Sequence, residues 1–228
     1  MNDDIAIGVF ARLTDLAGCA GLVFAAAALL VGFTAWLPPV RRLPLASRRR
    51  VLVGAALGAV LLMCWPIRGL PGVAYLRAVT EDLSITALVL AGGVFMRAMA
   101  AGVQASAPGW HAGWRDRAAL RVLVVIGALL LYPMALGATP LDSYRWGYAN
   151  PWFVGALLVI ALAALRAGLR LTVVCLSLAV LGYGLGVYES RNLWNYLIDP
   201  FVAIQCALAL PLGALRRLLG GWPRRGAA

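Results

Sequence analysis

The chain has 228 residues, of which 63% are hydrophobic and 13% charged, and its mean hydropathy is +0.87. A soluble domain of this length cannot hide that much apolar surface, so the composition excludes an ordinary soluble fold. The net charge of +11 comes from 20 basic residues that are all Arg; they flank apolar runs, which argues for membrane topology and against a nucleic-acid partner. With no Lys, the chain can form no Schiff base and has no P-loop lysine. Arg-only usage with abundant Ala, Gly and Leu points to a bacterial source with a GC-rich genome.

The first twelve residues hold Asp3, Asp4 and one Arg and do not read as a cleavable leader. Apolar runs long enough to cross about 30 Å of hydrocarbon as helices then recur along the chain. Backbone groups in lipid must be satisfied within each segment, so these runs predict helices, not isolated strands, and they are too continuous for a β-barrel. The first span covers 16–37 and is stopped by Pro38 and Pro39; a loop with Arg41, Arg42, Arg48, Arg49 and Arg50 follows. The second covers 51–67, with Gly54 and Gly58 at GxxxG spacing, and leads to a loop with Arg68, Arg77, Glu81 and Asp82. The third covers 83–103 and contains Arg97, read as a cation that snorkels to the nearer surface. Beyond a basic loop with His111, the fourth span covers 122–138, with a bend expected at Pro133. The fifth, sixth and seventh cover 151–166, 171–188 and 200–215.

The expected fold is therefore a single all-α domain, a polytopic integral membrane bundle of about seven helices. The charges sort with that count. The loops on one side hold fifteen Arg and one acid, Asp116, and those on the other hold five Arg and eight acids. Arg is retained in the cytoplasm, so the N-terminus is expected outside, the C-terminus inside, and the chain in the bacterial inner membrane.

Two outward loops carry the chemistry. One holds Asp142, Tyr144 and Arg145; the other holds Glu189, Arg191, Asn192, Asn195 and Asp199. Each ends in an Asx-Pro pair, Asn150-Pro151 and Asp199-Pro200, which is helix-start chemistry. An aromatic belt accounts for the Trp and Tyr on this side but not for the clustered carboxylates, guanidinium groups and amides. The cluster has two readings, a binding site or solvated loop ends. If it is a site, Asp142, Arg145, Glu189 and Arg191 should converge and pair, and Asp199 should cap the seventh helix.

Dispersed cysteines (Cys19, Cys64, Cys175, Cys206) and one His cannot build a metal, haem or triad site, so no cofactor is expected. No span carries a midplane carboxylate, which argues against an ion-coupled carrier. The leading functional expectation is a non-catalytic accessory or assembly subunit of a cell-envelope complex. It would use the outward loops, with a membrane-protein partner or a second copy against seams at Gly54/Gly58 and Gly182/Gly186. The alternatives are an enzyme on a lipid-linked or headgroup substrate, with Glu189 or Asp142 as acid–base group, and a passive small-solute permease.

Overall fold

The computed structural model describes residues 2–100, 113–138 and 140–220, and side chains within 11–100, 113–138 and 140–215. His111, much of the basic loop around it and the C-terminal Arg224 and Arg225 lie outside the described residues. The described chain is all-helical apart from one two-residue ladder, with ten α-helices. They are α1 (Asn2–Trp36), α2 (Pro38–Arg41), α3 (Leu45–Cys64), α4 (Gly72–Thr80), α5 (Ile85–Ala100), α6 (Trp114–Ala135), α7 (Pro151–Arg166), α8 (Arg170–Leu185), α9 (Leu193–Leu197) and α10 (Pro200–Gly220). Two of them, over Ala11–Trp36 and Trp114–Ala135, are long and apolar enough to cross a membrane.

The segment between the second and third expected spans is more ordered than a loop. Pro66–Ile67 and Leu70–Pro71 form a small antiparallel hairpin (β1, β2), turned at Arg68 and Gly69, both at positive φ. The nine-residue α4 follows and ends at Glu81, whose φ of 57° and ψ of −159° lie in a region that favours glycine. The basic loop after the first span is also shorter than expected, because α3 already starts at Leu45 and takes in Arg48, Arg49 and Arg50. Pro133 sits in the last turn of α6, and the helix ends two residues beyond it.

Helix α5 joins two groups of helices. On one side it packs against α1, and α1 against α3; on the other it meets α8, α9 and α10. The main core lies in this second group and includes Leu120, Val124, Leu176, Trp194, Tyr196 and Val202. The α1–α5 seam rests on small residues. Gly18, Gly21, Ala25, Ala28 and Gly32 recur at alternating spacings of three and four, which keeps them on one helical face. A methyl at Gly32 would come within 2.5 Å of Val94, and one at Gly21 within 3.2 Å of Leu88.

This corrects the expectation for the glycine seams. Gly54 and Gly58 face open space, and a methyl at either would meet nothing within 4 Å, because α3 turns that face away from α1. Gly182 does pack, against Ile85 and Tyr196. Gly186 instead ends α8 in the left-handed conformation, where Val187 N–H donates to Gly182 O at 3.0 Å.

At the arginine-rich end, Asp116 in the first turn of α6 is 5% exposed. It accepts from Leu171 N (2.7 Å), Thr172 N (3.1 Å) and Thr172 Oγ1 (3.0 Å), so it caps the start of α8 from a neighbouring helix.

Leu at Gly32 should overpack the α1–α5 seam and cost about 1–3 kcal/mol. Gly58→Leu should stay within about 0.5 kcal/mol of the parent. Thermal melting of both variants in detergent checks the pair, and equal loss in both would contradict this packing.

Candidate functional site

The site is built from helix starts. Backbone N–H groups in the first turn of a helix lack intrahelical partners, and apolar surroundings offer no water to replace them. Asp199 Oδ1 accepts from Val202 N at 2.8 Å and caps α10, as its place before Pro200 predicts. Its other oxygen, Oδ2, accepts from Ser84 N (3.0 Å) and Ser84 Oγ (2.7 Å), while Ser84 Oγ accepts from Ala87 N at 3.1 Å and caps α5. One carboxylate, 6% exposed, thus binds the N-termini of two helices, whose dipoles favour its charge.

The two loops expected to face outward meet at this end. Trp194 Nε1 donates to Ser143 O at 2.9 Å, and Asn192 Nδ2 to Tyr144 O at 2.9 Å. Ser143 Oγ in turn donates to Leu130 O at 2.6 Å, which fixes the first loop on α6. Gly147 allows this approach, since a methyl there would overlap Asn192 Oδ1. Tyr196 knits the second loop. Its hydroxyl accepts from Tyr188 N and donates to Tyr188 O or Ser190 O, each at 3.1 Å, and its ring stacks on Tyr188 at 5.0 Å.

Between these loops, α4, the middle of α1 at Cys19 and the C-terminal end of α6 lies a cleft of about 740 Å³. Its charged wall is made by Arg77, Glu81, Asp82, Glu189 and Asp199. Tyr132, Tyr144 and Tyr188 add ring surface, and Thr80, Ser190 and Asn195 add uncharged polar groups. Arg77 is the hub. Its Nε donates to Asp82 Oδ1 at 2.7 Å and its Nη2 to Asp82 Oδ2 at 3.3 Å, a two-point fork. Its Nη1 also donates to Asp15 on α1, and Glu189 lies 4.0 Å from Nη2. Asp82, and then Asp15, hold the guanidinium above its ordinary pKa against the opposing effect of burial. Gly18 makes room for this pair, since a methyl there would overlap Asp82 Oδ1.

The eight residues singled out from sequence divide in this arrangement. Tyr144, Glu189, Asn195 and Asp199 line the cleft. Asn192 is fully buried as a staple: its Oδ1 accepts from Trp194 N at 3.0 Å, capping α9. Asp142, Arg145 and Arg191 are exposed and outside the lining; Asp142 Oδ1 accepts only a backbone bond, from Arg145 N at 3.3 Å. The expected pairing of Asp142, Arg145, Glu189 and Arg191 is not formed, because among the described residues every ion pair belongs to Arg77. Arg77, Glu81 and Asp82 were visible in sequence as a charged group before the third span. Nothing local showed that α4 would carry them over the other two loops.

Comparison of the chain with protein families, with curated proteins and with solved structures found no match.

Asp199→Ala should destabilise by roughly 2 kcal/mol, because it leaves N–H groups of two helices and the Ser84 hydroxyl unpaired. Glu189, 60% exposed at its side chain, should tolerate Gln within about 0.5 kcal/mol. Comparative melting tests this, and equal loss in the two variants would contradict the division of roles.

Burial, followed by the neighbouring Tyr148, raises the Tyr144 pKa; burial, followed by Asp82, raises that of Tyr188. These phenols bind protons more tightly in the folded chain than in the unfolded one. Their contribution should be full below about pH 10, the ordinary tyrosine value, and be lost as pH rises through the raised values. Alkaline melting curves of the parent and a Tyr188→Phe variant should separate in that range, with the parent falling more steeply.

Proposed function

We propose that the protein is a multi-pass protein of the bacterial inner membrane, with seven spans, its N-terminus outside and its C-terminus in the cytoplasm. In this reading it is a non-catalytic accessory subunit of a cell-envelope complex that holds a polar ligand or headgroup in the outward cleft. The membrane part is supported by apolar side chains left exposed along whole helices, among them Leu158, Val159, Leu162 and Leu165 on α7 and Ile204, Leu208 and Leu212 on α10. Exposed apolar patches on that scale suit a lipid environment and not water. Helices α5, α7, α8 and the apolar part of α10 are each 16 residues, about 24 Å at 1.5 Å per residue, and need their flanking residues to reach both interfaces. The orientation rests on the arginine distribution.

The binding part is carried by one observation. The cleft is walled by groups that the fold already holds in place: Arg77 by its carboxylates, Asp199 by two helix starts and Asn195 by Ser190 at 2.8 Å. Walls fixed before a ligand arrives lower the ordering cost of binding it. The enzyme alternative loses one of its two acid–base candidates, since Asp142 lies outside the cleft that Glu189 lines. The permease alternative needs a polar path, whereas the core packed beneath the cleft contains Val124, Leu131, Ile198 and Val202. The open face of α3 at Gly54 and Gly58 suits helix contact with a membrane partner or a second copy.

A reporter fused after Arg225 should fluoresce as a cytoplasmic protein and be inactive as an exported phosphatase; phosphatase activity there would overturn the orientation. Ala78 is exposed and lines the cleft, so Ala78→Trp should fill it without touching the core. Mass spectrometry of molecules that co-purify with each form should show one retained by the parent and lost from Ala78→Trp, with melting temperatures equal within about 2 °C. Identical profiles would overturn the binding role.

A further inference from the structure

We infer that the cleft takes an organic ammonium group, a conclusion that rests on the reading of the cleft as a binding site and adds the class of ligand. The argument begins with charge. The chain carries a net charge of +11, yet the cleft wall has four carboxylates (Glu81, Asp82, Glu189 and Asp199) against one guanidinium, that of Arg77. Two of the four are already compensated. Asp82 holds the fork of Arg77, and Asp199 is bound by Ser84 and by the starts of α5 and α10. Arg77 is committed as well, to Asp82 and to Asp15. Glu81 and Glu189 remain, both exposed, and among the described residues only Glu189 has a cation near it, the same Arg77 at 4.0 Å.

An anionic headgroup would meet uncompensated carboxylates and a guanidinium already paired with two others, so phosphate and carboxylate ligands are disfavoured. A divalent metal needs several hard ligands converging on one point, and among the described residues no three His, Cys, Asp or Glu groups do so. A diffuse monocation fits better. Its charge would be balanced by Glu81 and Glu189, and its methyl or methylene surface would lie against aromatic rings. Tyr132 and Tyr144, both half-buried, supply those rings in the same cleft, beside the buried Tyr188 that stacks on Tyr196, and ring faces attract cations by their quadrupole. Burial and their neighbours favour the neutral phenol at Tyr144 and Tyr188, so neither ring adds a charge of its own near neutral pH. A cleft of about 740 Å³ has room for a quaternary ammonium and the atoms that carry it. The chain itself has no Lys, so none of its own segments can supply an ammonium side chain. The group comes either from a lipid headgroup at the membrane surface or from a small soluble molecule.

The test uses the full chain purified in an uncharged detergent, with choline as probe and its uncharged carbon isostere, dimethylbutanol, as control at constant ionic strength. Choline should quench or shift the tyrosine and tryptophan fluorescence saturably and bind at least about tenfold tighter than the isostere. The double variant Glu81→Gln, Glu189→Gln, with unchanged melting, should lose that preference. Equal binding of choline and isostere, or undiminished preference in the double variant, would overturn the inference. A sugar or an anion that the parent binds and Ala78→Trp excludes, with choline inactive, would overturn it while leaving the cleft as a binding site. No ligand lost on Ala78→Trp would overturn both. The source is read in lipid nanodiscs. Protein in phosphatidylcholine discs should fail to bind free choline if the headgroup already fills the cleft, and protein in phosphatidylglycerol discs should bind it. Binding of equal strength in both discs assigns the ammonium to a soluble molecule.

Discussion

Helix starts are a cost in apolar surroundings, because their first N–H groups have neither an intrahelical partner nor water. Two buried aspartates meet that cost for three helix starts and tie neighbouring helices together as they do so. At the acidic end Asp199 bonds the starts of α5 and α10, and at the arginine-rich end Asp116, itself in the first turn of α6, bonds the start of α8. Each carboxylate lies where helix dipoles place positive potential, and neither forms an ion pair among the described residues. The relative positions of α5, α6, α8 and α10 follow from these bonds and from the core they enclose.

The cleft follows from that scaffold. With α5 and α10 tied at Asp199, the segment before α5 carries Asp82 to one wall, and the Tyr188–Ser190 segment carries Glu189 to the other. Arg77 reaches both from α4 and also reaches Asp15 on α1. It therefore joins the two helix groups on either side of α5. The small-residue face of α1 complements this, since Gly18 leaves space for Asp82 and the residues below it let α1 lie close to α5.

Much of the local structure was legible in the residues. The bounds expected for the fifth apolar helix are those of α7, from Pro151 to Arg166, because Asn150 and Pro151 are strong start signals and Trp152 N donates to Asn150 Oδ1 at 2.9 Å. The Asp199 cap was legible for the same reason. The site was half legible. Residues beside turn signals (Glu189, Asn195 and Asp199) stood out, but weight given to charge alone also selected Asp142, Arg145 and Arg191, which stay in solvent-exposed positions. Asn192 was selected for its polarity, and its side chain is spent on holding two loops together.

What the sequence determined by itself was the helical character, the places where helices begin, and the alternation of arginine-rich and acidic loops along the chain. These depend on hydrophobic run length, on capping residues within a few positions and on the distribution of charge along the chain. The tertiary structure alone decided which small residues form a seam and which carboxylate meets which cation. GxxxG at Gly54 and Gly58 and the spaced glycines of α1 are both compatible with close packing, and only the rotation of each helix against its neighbours selects the second. Arg77 could pair with any acid at its end of the bundle; its partners are Asp15, 62 positions away, and Asp82, five away. The physical reason is that capping and hydrophobic periodicity act over a turn of helix, whereas ion pairing and close packing depend on distances that exist only once the helices have assembled.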